Sequence, residues 1–145
     1  MTNGLDFIYK PRYMALIEFH LDSRSGVPTY LQLVQQVRHA VQLGILRPGD
    51  QLPTVKEVVS SLTINPNTVL KAYSALESEG IAEGRRGQGT FVTTSAPSPL
   101  GDDVGKLRRS LRDWFGRARA AGLDEQAIEA LLSEQRGSAK ARRVA

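Results

Sequence analysis

The 145-residue sequence has no cysteine, which excludes disulfide bonds and thiolate metal sites and fits a reducing cytoplasm. It has no run of about 18 apolar residues, so we expect no transmembrane helix and no membrane partner. The N-terminus lacks a basic region followed by an apolar stretch, so no secretory signal is expected. The two histidines, His20 and His39, stand in no ligand-spaced cluster with acidic residues, and we expect no metal site.

The signatures of an enzyme are missing as well. No Ser/His/acid set is evident, and the pair Gly87 and Gly89 follows a predicted strand without opening a helix, unlike a nucleotide-binding loop. We therefore predict a protein that is not an enzyme and needs no cofactor.

Charge gives only weak support for a nucleic-acid partner. The formal net charge is +4, but four of the 19 Lys and Arg residues lie within residues 136–145, where no acidic residue stands. The rest of the chain is formally neutral. An argument for DNA binding must therefore come from where the charges lie.

The pattern along the chain predicts a mainly α fold with a small β-hairpin. An edge strand is predicted at Ala15–Leu21 from its partial alternation, and Met14 just before it is an alternative start. The predicted segments are an N-terminal extension (1–14), a first domain (15–94), a Pro/Ser linker (95–101), a two-helix segment (102–135) and a disordered basic tail (136–145).

Helix starts and stops are well marked in the first domain (15–94). The first helix is expected over about Pro28–Leu43. Thr54 and Glu57 form a T-x-x-E capping box that begins the second helix. In the third helix Asn65 is a suitable N-cap, followed by Pro66, and Gly80 ends the helix. One face of this helix is apolar, whereas the opposite face is polar and almost uncharged; its residues are Asn67, Lys71, Ser74 and Ser78.

A hairpin follows, with strands near Ile81–Gly84 and Gly89–Thr93 and the tip Arg85-Arg86-Gly87-Gln88. Three helices followed by a hairpin is the winged helix-turn-helix order. A polar helix face can meet base edges in the major groove, and a basic hairpin tip can follow the backbone or minor groove. We also expect the free N–H groups of Asn67 and Thr68 to be available to a phosphate.

Two stretches of the sequence carry a specific resemblance. LRPGDQLPTVKEV (46–58) and INPNTVLKAYSALESEGIAEGRRGQGTFV (64–92) closely resemble the N-terminal domain of the GntR family of bacterial regulators, and NPNTV followed by KAY resembles its YtrA-type subgroup. The short C-terminal part agrees with that subgroup. The resemblance implies a homodimeric repressor that binds a double-stranded, inverted-repeat DNA operator and controls genes near its own, including transporter genes.

By the same resemblance, DNA contacts come from the start of the second helix, the third helix and the hairpin tip. The implied residues are Lys56, Asn65, Asn67, Thr68, Lys71, Arg85, Arg86, Gln88, Gly89 and Thr90. Three positions depart from the family pattern. Lys56 replaces an arginine, Leu70 stands where many members outside the subgroup carry a basic residue, and Thr63 replaces a glycine, so a different bend is expected there.

The last two predicted helices carry an apolar seam with spacings of three and four residues. About 30 residues cannot bury two apolar faces alone, so we predict a twofold dimer. The alternative is that the helices fold back on their own chain. The predicted dimerisation residues are Leu107, Leu111, Trp114, Phe115, Ala118, Leu131 and Leu132. A small-molecule effector would have space only at this interface.

Two functional alternatives stay open at this point. A protein-interaction module that kept the winged-helix shape would bury the Arg85–Arg86 tip and the Lys71 face against a protein. A regulator of this type could also activate, because the sign depends on where the operator lies relative to the promoter.

Overall fold

A computed structural model describes residues 17–96 and 100–144. Its elements are α1 (Thr29–Gln42), α2 (Val55–Leu62), α3 (Pro66–Ser78), β1 (Ala82–Arg85), β2 (Gly89–Val92), α4 (Asp102–Ala120) and α5 (Glu125–Val144). The predicted fold class, mainly helical with one small hairpin, is confirmed. The chain divides into two compact units, one ending at Gly101 and one beginning at Asp102.

The segment before α1 corrects one prediction. Residues 17–22 form no strand, and the rest of the predicted edge strand lies outside the described residues. Their backbone is held by glutamine side chains of α1. The Gln36 amide exchanges two hydrogen bonds with His20, at 2.9 and 2.6 Å, and Gln32 exchanges two with Asp22, at 2.9 and 3.0 Å. The apolar alternation instead serves to bury Phe19 against the core.

α2 begins as its capping box predicts. The Glu57 N–H donates to the Thr54 hydroxyl at 3.1 Å, and the Thr54 N–H donates to the Glu57 carboxylate at 2.9 Å. The helix ends at Thr63, which adopts the left-handed conformation with φ 54° and ψ 51°. A different bend was expected where threonine replaces glycine. The turn keeps a left-handed residue instead, at the cost of strain in a β-branched side chain.

α3 packs its apolar face into the core of the first unit. Asn65 caps the helix by accepting the N–H of Asn67 at 2.8 Å. The buried residues of α3 meet those of α1 and of the segments that flank the hairpin. Among the core residues are Leu33, Val34, Val37, Val41, Leu46, Leu52, Val69, Ala72, Tyr73, Leu76, Ile81 and Val92.

The hairpin is antiparallel, and Ala82 pairs with Val92 and Arg85 with Gly89. The loop before α2 adds backbone pairing on the far side of β2. The Gly49 N–H donates to the Val92 carbonyl and the Val92 N–H to the Asp50 carbonyl, both at 2.8 Å. The base of the hairpin is therefore tied on both sides, while its tip projects.

α4 and α5 form the second unit. Asp124 caps α5 by accepting the N–H of Ala127 at 2.8 Å, and Ala118 of α4 and Ile128 of α5 are buried. α5 continues to Val144, so the predicted disordered tail over 136–145 is wrong as far as that residue. Alanine and arginine in this stretch are good helix formers, and cations at a helix C-terminus interact favourably with the helix dipole.

Three predicted features lie wholly or partly outside the described residues. They are the N-terminal extension with Met14, part of the edge strand and the middle of the linker at 97–99. Among the residues that are described, none of the helices is both long and apolar enough to cross a membrane.

Candidate nucleic-acid interface

The outer face of α3 is open to solvent along its whole length. Asn67, Lys71, Ser74 and Ser78 are exposed, whereas Thr68 is half-buried. The N-terminal half of this face therefore presents amide, ammonium and hydroxyl groups, which can hydrogen-bond to base edges and phosphates.

The N–H groups at the start of α3 are already used, which corrects another expectation. The Asn67 N–H donates to the Asn65 side chain at 2.8 Å, and the Thr68 N–H donates to the Asn65 carbonyl at 3.0 Å. A phosphate here would have to meet side chains or displace the Asn65 cap. Asn65 is thus the N-cap of α3, the residue immediately before the first turn of the helix.

Lys71 has a partner within its own chain. Its ammonium lies 4.1 Å from the centroid of the Tyr30 ring on α1, a cation–π contact at an exposed site. Such a contact is worth about 0.5–1 kcal/mol, little enough for a phosphate to outcompete it. It holds the lysine to the α1 side of α3 and leaves the strip through Asn67 and Ser74 uncovered.

Lys56 lies in the first turn of α2, fully on the exposed side. Among the described residues no hydrogen bond or ion pair engages its ammonium. It is well placed for a phosphate contact, which adds affinity and carries no sequence information.

The tip of the hairpin, which we call the wing (residues 85–90), borders an open concave surface. This surface is lined by Thr54, Gly84, Arg85, Arg86, Gly87, Gln88, Gly89 and Thr90. The start of α2 and the wing thus share one surface, and it includes five of the predicted contact residues.

The two wing arginines are in different situations. Arg85 donates to the Glu83 carboxylate at 3.0 Å and stacks 4.3 Å from the centroid of the Phe91 ring. Arg86 is exposed and forms no ion pair with any described residue. Arg86 can therefore neutralise a phosphate without breaking an ion pair, whereas a phosphate that binds Arg85 would compete with the Glu83 carboxylate.

Gln51 fixes the shape of the wing. Its side-chain amide donates to the Gln88 carbonyl at 3.1 Å. Gly89, with φ 121°, lies so close that a Cβ there would stand 2.7 Å from the Gln51 amide nitrogen. Only glycine adopts this backbone conformation without strain, so both residues set the direction in which the tip points.

Tyr73 ties α3 to the loop before α2. Its buried hydroxyl donates to the Pro53 carbonyl at 2.5 Å. Burial, with a smaller contribution from the Glu57 carboxylate, raises the pKa of this hydroxyl above its usual range. The neutral, hydrogen-bonded phenol therefore ties α3 to the start of α2.

Sequence reasoning missed Gln51 and Tyr30 as parts of this surface. Gln51 lies in the loop before α2, and its role depends on the pairing of that loop with β2. Tyr30 is a partly buried residue of α1 that packs against the core, and its contact with Lys71 joins α1 to α3. No local signal marks either residue, because each acts across the tertiary fold.

The predicted dimerisation residues divide into two groups in the second unit. Trp114 and Phe115 are half-buried and form an edge-to-face pair with centroids 5.3 Å apart, and Ala118 is buried. The exposed fractions are 68% for Leu107, 50% for Leu111 and 42% for Leu131, while Leu132 is half-buried. The unit thus leaves three large leucines in solvent.

In the described part of the chain, no group of three or more His, Asp or Glu residues is placed to hold a metal ion. Asp102 and Asp103 lie in the first turn of α4, where the helix dipole favours negative charge. Every buried side-chain polar atom among the described residues has a hydrogen-bond partner.

Comparison with known proteins agrees with this geometry. The model of the family "Bacterial regulatory proteins, gntR family" matches residues 29–92. The HTH-type transcriptional repressor YtrA of Bacillus subtilis is 36% identical over 115 residues, covering 79% of this chain and 88% of that protein.

Two solved structures extend the similarity to three dimensions. YtrA from Sulfolobus acidocaldarius, a GntR-family transcription factor, is 31% identical with a TM-score of 0.50, over 70% of this chain and 97% of that one. A transcriptional antiterminator from Listeria monocytogenes EGD-e is 27% identical with a TM-score of 0.53, over 83% and 91%. The chain therefore belongs to the GntR family of bacterial regulatory proteins, and it is a winged-helix DNA-binding transcription regulator rather than an enzyme.

Proposed function

We propose that the protein is a homodimeric repressor that binds an inverted-repeat operator, with α3 in the major groove and the wing along the flanking backbone. The observation that carries this proposal is the surface of the first unit. It combines a solvent-exposed, nearly uncharged face of α3 with two free cations, Lys56 and Arg86, on α2 and the wing. The hydrogen-bonding groups at the centre of this protein surface match the base edges in the major groove. The cations at its flanks match the phosphates on either side of the groove.

The contact residues that we propose are the ten predicted ones, in three roles. Asn67 and Lys71 would meet bases or adjacent phosphates. Lys56, Thr68 and the wing would hold the DNA backbone and add affinity for DNA of any sequence. Asn65 and Gly89 would act through the protein backbone, as cap and as turn. Arg85 would join once DNA competes with Glu83 for its charge.

The dimer would form through the second unit. Leu107, Leu111 and Leu131 are large, apolar and exposed, and a second copy of the same surface would bury them. A twofold axis then presents two α3 helices to two half-sites. Sedimentation equilibrium is expected to give a dimer for the unaltered chain and a monomer for Leu107→Ser, Leu111→Ser. A dimer in both would place the interface elsewhere.

A small-molecule effector would bind at the same interface between the two copies. The target genes would include neighbours of its own gene and transporter genes, as the YtrA resemblance implies, and the protein would act in the cytoplasm, where its DNA lies. Thermal melting of the protein with panels of metabolites tests for an effector. An effector should raise the melting temperature of the protein and change its affinity for the operator. If no compound of the panel does both, the proposal of an effector is contradicted.

The test of DNA recognition begins with selection of binding sequences from random duplexes, followed by titration at two salt concentrations. We expect a palindromic sequence, bound more tightly than scrambled DNA. Arg86→Ala should weaken binding to both. Because the dimer carries two wings and loses two phosphate contacts, the slope of log affinity against log salt should become shallower by about two. Asn67→Ala should weaken the selected sequence alone.

Ser110→Ala, an exposed change in the second unit, serves as the matched control and should alter neither affinity nor slope. Repression is tested separately with a reporter whose promoter overlaps the selected sequence. Equal, weak binding to every duplex, or an Arg86→Ala variant with unchanged slope, would contradict the proposed interface. Either result would favour the alternative that the protein is a protein-interaction module.

A further inference from the structure

Leu70 is the apolar exception on the DNA-facing side of α3. Leu70 is 51% exposed, whereas the other large apolar residues of α3, namely Val69, Tyr73 and Leu76, are buried. It stands three residues after Asn67 and four before Ser74, so the three form one strip along the helix. Leu70 therefore lies within the surface that the proposed function places in the major groove.

The fold gives this leucine no structural role. The core face of α3 is formed by Val69, Ala72, Tyr73 and Leu76, each 4% exposed or less. Leu70 points away from it, into solvent. Single exposed leucines are common on protein surfaces, but this one stands among hydrogen-bonding side chains on the face that would be desolvated when DNA binds.

We propose that Leu70 is a specificity-determining residue that contacts the 5-methyl group of a thymine in the major groove. This inference rests on the proposed function. The thymine methyl is the one apolar group that a base pair presents in that groove. A leucine gains by covering it. Against cytosine at the same position, the leucine would cover the N4 amino donor without replacing its hydrogen bond to water.

The neighbours of Leu70 fit this role. Asn67, one turn earlier on the same strip, has the amide that can pair with adenine through N6 and N7. Lys71 is turned toward Tyr30 on the α1 side and does not cover the leucine side of the helix. The geometry points to a half-site in which Asn67 and Leu70 meet nearby A·T pairs, with the thymine recognised by shape.

The experiment removes the methyl group alone. In the selected operator each thymine is replaced in turn by deoxyuridine, and affinity is measured by fluorescence anisotropy for the unaltered chain and for Leu70→Ala. At one thymine of each half-site, loss of the methyl should weaken the unaltered chain about fourfold, the equivalent of one buried methyl group. Leu70→Ala should bind the thymine and uracil duplexes equally there.

Two control variants separate this contact from general effects. Ser74→Ala changes the same strip, and Leu100→Ala removes a leucine that is 66% exposed outside α3. Both should keep the sensitivity to uracil. Circular dichroism should show Leu70→Ala folded, since the side chain lies outside the core.

The outcomes distinguish the two proposals. An unaltered chain that binds its selected operator but is insensitive to every uracil replacement overturns the role of Leu70 and leaves the proposed function standing. The same holds if Leu70→Ala keeps the sensitivity, or if the selected half-site holds no thymine. An unaltered chain without preference for any selected duplex overturns both proposals.

Discussion

Thr63 ends α2 in the left-handed region, with φ 54°, and is the one non-glycine residue with positive φ in the described part of the chain. Its side chain is exposed, so a change to glycine removes no buried contact. We predict that Thr63→Gly stabilises the first unit. The turn between α2 and α3 would keep its geometry, because glycine adopts this conformation without the Cβ clash.

The expected gain follows from two opposing contributions. A left-handed conformation costs an L-residue roughly 1–2 kcal/mol, and a β-branched side chain lies at the upper end. The greater freedom of glycine in the unfolded chain costs about 0.5–1 kcal/mol. The difference is about 1 kcal/mol, which corresponds to a rise in melting temperature of about 4–8 °C for a domain of 60–100 residues.

The assay is thermal and urea unfolding followed by circular dichroism, with operator affinity measured in parallel. Thr94→Gly is the matched control, because Thr94 is also exposed but has ordinary negative φ. That control should lose stability by up to about 1 kcal/mol. Operator affinity should change less than about twofold in both variants. If Thr63→Gly is no more stable than the unaltered chain, or loses as much stability as the Thr94→Gly control, the inference of backbone strain is refuted.

Three further changes test the site. Gly89→Ala forces a side chain into φ 121° and against the Gln51 amide, so DNA affinity should fall about tenfold while the helical signal stays; unchanged affinity would show that the wing adds nothing. Tyr73→Phe should lower the free energy of unfolding by about 1 kcal/mol at pH 7, because the hydrogen bond to the Pro53 carbonyl is lost. The raised pKa of the hydroxyl makes the unaltered chain lose stability as pH rises above about 10, where the unfolded phenol ionises first; parallel pH profiles would contradict this. Asn65→Ala removes the cap of α3 and should cost about 1 kcal/mol in urea unfolding, whereas Asn65→Asp should keep most of it; equal losses would show that the cap is unimportant.

Helix boundaries were predictable because their causes are local. The Thr54–Glu57 capping box and the Asn65 cap involve partners two or three residues apart, so the hydrogen bonds can be inferred from the order of residues alone. The core face of α3 was predictable for the same reason, since its period follows from helical geometry. The polar surface opposite that face followed directly.

The two errors in secondary structure have different physical origins. Partial alternation over Ala15–Leu21 predicted a strand, but a strand needs a neighbour. The side chains of Gln36 and Gln32 instead accept the backbone N–H groups of His20 and Asp22. The basic composition after residue 136 suggested disorder, although its helix formers extend α5 to Val144.

The sequence by itself determined where the helices of the DNA-binding unit begin and end, which residues face its core, and the family to which the resemblance pointed. Only the tertiary structure decided the partners and the exposure of the side chains at the candidate interface. Gln51 supports the wing, Lys71 lies on the Tyr30 ring and Arg85 is paired with Glu83. Arg86 and Leu70 are exposed. The reason is that helix caps and periods depend on neighbours within one or two turns. The charge and direction of a surface side chain depend on residues that the fold alone brings close.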